Sequence, residues 1–130
     1  HWRTAQQQGR AAARNMAGRD TVFDAVPFFW TRQFDAGLLY VGRAAGWDEI
    51  VYRGDLSAHD FLAFYVKGGR VAAVAGMNRD RELAAAEELL RAGRMPAPEE
   101  LGGGFLNLPE PPPEAGLSVA GGVGVGLNAK

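Results

Sequence analysis

Residues 60–77 read DFLAFYVKGGRVAAVAGM, with FLAFYV and RVAAVAGM as two β-compatible runs on either side of Lys67, Gly68 and Gly69. A connection this short, built on glycine, closes a hairpin. Strands joined by such a loop cannot be parallel, since a parallel pair needs a crossover of about a dozen residues or more. The spacing therefore predicts an antiparallel sheet.

On the C-terminal side, Asn78 is placed to cap a helix running through RDRELAAAEELLRAG, with Asp80 and Glu82 near its positive end and Arg91 near its negative end. The residue three beyond the cap is Arg81, so no full capping box is present. Leu83, Ala86, Leu89 and Leu90 recur at helical spacing and form a stripe that would cover one face of the sheet. PAPEEL, residues 96–101, suits a single short helical turn.

On the N-terminal side, WDEIVYRGD alternates Ile50 and Tyr52 with Glu49, Val51 and Arg53, and Gly54 with Asp55 closes that strand. The run from Phe28 to Arg43 reads as extended, with Leu38 and Tyr40 on one face and Leu39 and Val41 on the other. Trp2 to Ala17 is rich in Ala, Gln and Arg and stops at Gly18, which predicts a helix whose narrow face holds Trp2, Ala5, Ala12, Ala13 and Met16. Gly9 inside it costs about 1 kcal/mol relative to Ala, unless a close neighbour needs the room. The expected fold is α+β: an N-terminal helix, a small antiparallel sheet of hairpins covered by a C-terminal helix, and a Gly/Pro-rich tail. That tail, residues 102–130, holds eight glycines and four prolines with three charged residues, and is expected to be disordered or loosely attached.

The 130 residues allow one domain of ordinary size, not two full cofactor-binding domains. With 47% apolar and 22% charged residues and a net charge of -1, nothing in the composition calls for nucleic acid or an anionic membrane. The absence of cysteine excludes disulfides and thiolate metal sites, and His1 and His59 stand far apart with no ligand pattern, so no metal centre is expected. The longest uncharged run, residues 115–129, is too short and glycine-rich to span a bilayer, and a cytoplasmic location is expected. Because the chain opens on His1 and not on methionine, it reads as the C-terminal piece of something longer.

No GxGxxG follows a strand, and neither a phosphate-binding loop nor a nucleophile elbow is found. GGGF at Gly102 and GGVGVG at Gly121 lack the flanking strand and helix that make such loops cradle phosphate. His59 with Asp60 reads as a solvated turn pair, since neighbours on a strand point to opposite faces. No catalytic residue is assigned. What remains is VPFFWTRQFD, residues 26–35, where three aromatics follow Pro27. Either Trp30 fills the core between sheet and helix, or that ring serves something outside the chain.

HWRTAQQQGRAAARNMAG, VPFFWTRQFD, GLLYVG and AFYVKGGRVAAVAGMNRDRELAAAEELL together resemble the C-terminal part of FAD-dependent NAD(P)H reductases of ferredoxin, rubredoxin or putidaredoxin, whose fold the apoptosis-inducing factor group shares. The resemblance covers about residues 1–101. It implies a three-domain flavoenzyme in which hydride passes from NAD(P)H to FAD and single electrons then leave to a ferredoxin-like or Rieske-type acceptor. It further implies that residues 1–25 are the last helix of the FAD domain and its linker, and that residues 26–101 are the C-terminal domain. Trp30 would lie beside the flavin ring, facing the nicotinamide, with Trp2, Ala5 and His1 touching the flavin from the helix N-terminus; Phe28 and Phe29 would be packing residues. The tail departs from the family, whose members finish soon after the PEEL segment. The alternatives are a partner-binding domain of the apoptosis-inducing factor type, without catalysis of its own, and an independent α+β binding domain.

Overall fold

The computed structural model describes residues 1–101, and the expected disordered tail at 102–130 lies outside the described residues. Helix α1 (Trp2–Met16) is followed by strands β1 (Phe28–Gln33), β2 (Ala36–Gly42), β3 (Glu49–Asp55), β4 (Asp60–Lys67) and β5 (Arg70–Met77), then helices α2 (Asp80–Arg91) and α3 (Pro98–Leu101). The strands form one sheet in the order β1-β2-β5-β4-β3, and each neighbouring pair is antiparallel. The α+β class expected from the sequence is the fold observed.

The β4–β5 hairpin lies in the middle of this sheet, which explains why its two runs are apolar almost throughout. Gly68 and Gly69 turn the chain with φ of 56° and 71°, a conformation that favours glycine at both positions. From β4 and β5, Leu62, Phe64, Val66, Val71 and Val74 join Val41, Leu83, Ala86 and Leu101 in the core under the helices. Ala63, Ala73 and Ala75 are also buried, on the opposite face, where Tyr65 meets Tyr40 and Trp47 edge-on with ring centroids 5.9 and 5.3 Å apart. Gly76 brings α2 close, because a side chain there would sit 2.8 Å from Leu62 and 2.9 Å from Leu83.

Helix α2 begins one residue later than the sequence reading places it, with Arg79 at the cap position and no side-chain cap. Asn78 instead takes a left-handed backbone, φ 55°, and its amide donates 3.0 Å to the His59 carbonyl. Arg79 binds both Asp60 and Glu82, so the start of β4 is tied to the start of α2. Asp60 is therefore a structural partner of Arg79.

The extended run at 28–43 is in fact two strands, folded back at Phe34 and Asp35. The turn carries none of the Gly, Asn or Pro that announce one, and Phe34 accepts a φ of 53° instead. Helix α1 ends as Gly18 predicts, and α2 ends at Arg91, short of the Gly93 to which the sequence reading carries it. Past α1, the N–H groups of Gly18 and Arg19 reach the carbonyls of Asn15 and Arg14, and past α2 those of Gly93 and Arg94 reach Leu90 and Leu89.

Candidate functional site

Strand β1 is an edge strand paired with β2 alone, with Phe28 opposite Val41, Phe29 opposite Tyr40 and Trp30 opposite Leu39. Alternation sends Phe28 and Trp30 to the helix side and Phe29 to the other. Phe28 packs on the core, whereas Trp30 remains 38% exposed and Phe29 40% exposed.

The N-terminus of α1 comes to this edge. The His1 ring lies 4.7 Å from Trp30 and 5.1 Å from Phe29, and the Trp2 ring lies 5.4 Å from Trp30, all edge-on. Such pairs exceed their area burial by about 0.5–1.5 kcal/mol each. Arg3 fixes the helix here: its guanidinium stands 4.5 Å over the Phe28 ring and bonds Glu87 of α2 at 2.8 Å. Ala5 lies one turn along, its N–H bonded to the His1 carbonyl at 2.9 Å. Three residues apart, Ala5 and Trp2 share a helix face.

Of the four residues named from the sequence, His1, Trp2 and Trp30 thus form one cluster of rings, and the exposed Ala5 flanks it. Phe29, on the other face of the edge strand, also meets the His1 ring, at 5.1 Å. Arg3 was not foreseen; its signal was its position next to Trp2, one residue inside the helix. Trp2 is 56% exposed, so the rings present an open wall with only a hollow of about 230 Å³ beside Trp30, Arg32, Leu39 and Asp80.

The first turn of α1 carries neither an acidic residue nor a side-chain cap. Its N–H groups leave partial positive charge at the wall. An apolar, stackable surface next to that charge suits a flat aromatic ligand that gains electrons, and Ala5 leaves room for it to approach the helix. The residues present therefore fit a flavin ring along one side.

Residues 28–108 match the family model described as reductase C-terminal. The chain belongs to that family. Among relatives of this reductase domain, it is 43% identical over 94 residues to human apoptosis-inducing factor 3, covering 72% of this chain and 16% of that protein. It is 36% identical over 97 residues to putidaredoxin reductase of Pseudomonas putida, covering 75% and 23% respectively. Of solved structures, a ferredoxin reductase from Rhodopseudomonas palustris superposes with a TM-score of 0.74 at 30% identity, over 80% of this chain and 26% of that one. The covalent putidaredoxin reductase–putidaredoxin complex gives 0.70 at 36% identity, over 78% and 24%. The chain thus spans between 16% and 26% of the length of these proteins. No helix among the described residues is long and apolar enough to cross a membrane.

Proposed function

We propose that this chain is the C-terminal part of an FAD-dependent NAD(P)H reductase that delivers electrons to a ferredoxin-like or Rieske-type iron-sulfur protein. Its own contribution is one wall of the flavin site, made by His1, Trp2, Ala5 and Trp30. Residues 1–25 are then the last helix of the FAD domain with its linker, and residues 26–101 the C-terminal domain. The observation that carries this reading is the meeting of the α1 N-terminus and β1 in a set of rings that remains open to solvent.

The flavin would supply the hydride and electron chemistry. The residues of this chain do three other things. Trp30 gives a stacking surface that positions a nicotinamide, the rings exclude water, and the free N–H groups at the start of α1 offset negative charge at the ring. None of these roles requires a protein side chain to gain or lose a proton.

The test uses the full-length parent. Trp30→Ala should lower kcat/KM for acceptor reduction or for NAD(P)H about fivefold, the loss of about 1 kcal/mol of stacking, and should perturb the visible flavin spectrum. Unchanged kinetics and spectrum would return Trp30 to core packing. The second reading, implied by the resemblance to the apoptosis-inducing factor group, is a domain that mainly binds partners. A parent that does not oxidise NAD(P)H with ferricyanide would support it over the first.

A further inference from the structure

Strand β3 is the second edge of the sheet, paired with β4 alone. Among the described residues no backbone group on its outer side has a backbone partner. The strand is seven residues long and keeps an uninterrupted register against β4. Sheet edges are commonly closed to other chains by a proline, a bulge or a lysine, and EIVYRGD has none of these.

Its side chains suit one partner in particular. Val51 packs against the core, so Glu49 and Arg53, two residues to either side, share the helix face with it, while Ile50 and Tyr52 share the open face. Neither Glu49 nor Arg53 forms an ion pair among the described residues, although α3 packs against β3 and carries Glu99 and Glu100. Nη1 of Arg53 is buried without a hydrogen-bond acceptor, and Tyr52 is 48% exposed.

We propose that β3 pairs with β3 of a second copy of this chain, antiparallel and centred on Val51, so that the two sheets become one. A twofold axis at that point sets Glu49 of each copy opposite Arg53 of the other, and Ile50 opposite Tyr52. EIVYRGD is thus complementary to itself, with opposite charges paired on one face and aromatic with β-branched side chains on the other. Moving the centre one residue, to Tyr52, would set Glu49 against Asp55, so charge selects the register. The carboxylate of Glu49 gives the Arg53 guanidinium the partner it lacks in its own chain. Such a contact buries a strip and not a whole face, which makes the dimer weak and dependent on concentration. The proposed flavin wall at β1 lies four strand spacings away, roughly 19 Å, and stays open in it.

The experiment is sedimentation velocity on the 130-residue chain over a concentration series, comparing wild type with Glu49→Arg, Arg53→Glu and the double swap. Wild type should pass from monomer to dimer as concentration rises. Each single swap places like charges opposite one another at two points and should raise the dissociation constant about tenfold, and the double swap should bring it back to within about twofold of wild type. A wild type that stays monomeric throughout overturns the proposal. Dimers indifferent to the single swaps overturn it by placing the contact elsewhere, and a double swap as weak as the singles does so by showing that the two residues do not meet across copies. Hydrogen exchange on wild type needs no variant. Protection of β3 amides that grows with the dimer supports the pairing, whereas equal protection at every concentration overturns it, by showing that residues 102–130 cover the edge.

Discussion

Phe28, Phe29 and Trp30 are consecutive in sequence and have three separate fates. The pleat puts Phe28 against the core, Phe29 on the far face and Trp30 at the margin of the helix layer, so composition alone could not sort them. Asp48 shows the same dependence on place. Its carboxylate accepts 2.6 Å from the Lys67 ammonium and 2.7 Å from the Gly68 N–H, and these two bonds, Lys67 first, hold its pKa below the ordinary value of 3.8. A carboxyl lowered in the folded state stabilises the fold above its unfolded pKa, and that contribution is lost as the pH falls through the lowered one. Asp48→Asn should therefore flatten the decline of Tm as the pH falls below about 4, by lowering Tm slightly near pH 7 and converging on wild type in acid, a small effect because the pair is solvent-exposed. A decline as steep as wild type in thermal scans would show that the bond does not form.

At the scale of the element, the hairpin at 60–77 was legible because its turn residues, Gly68 and Gly69, are those the geometry demands. The hairpin at 28–42 was not, because Phe34 and Asp35 turn the chain without that signature. The start of α2 was displaced for a related reason: Asn78 spends its side chain on His59 and leaves the cap to Arg79. Helix α1 was legible from its composition, yet only Ala11 of its residues is buried, and a side chain at Gly9 would meet nothing within 4 Å. The isolated fragment gains nothing from glycine there. Gly9→Ala should raise the helical signal in far-UV circular dichroism and stabilise α1 by up to about 1 kcal/mol. If the same substitution weakens flavin retention in the parent, the room at Gly9 is used by another domain.

For the molecule as a whole, the core is built from apolar side chains of the sheet and its covering helices, while the proposed flavin wall is a margin of that core. Mixing the fragment with FAD should therefore give no stoichiometric visible absorbance in the protein fraction after gel filtration. Tight binding would mean that the chain holds a nucleotide site of its own. The antiparallel pairing, the helix after it and the helix before it followed from residue patterns alone, because period, turn glycines and helix stops are local signals. The strand order and the edge position of β1 did not, because they depend on which strands meet across distant parts of the chain. The same holds for the candidate site. Its residues could be named from motifs, but only folding brings His1 and Trp2 within 6 Å of Trp30, where Arg3 contacts Phe28 and Glu87. What the sequence determined by itself was local, the identity and period of its elements; what the tertiary structure decided was which rings stay outside the core, because exposure depends on everything packed around them.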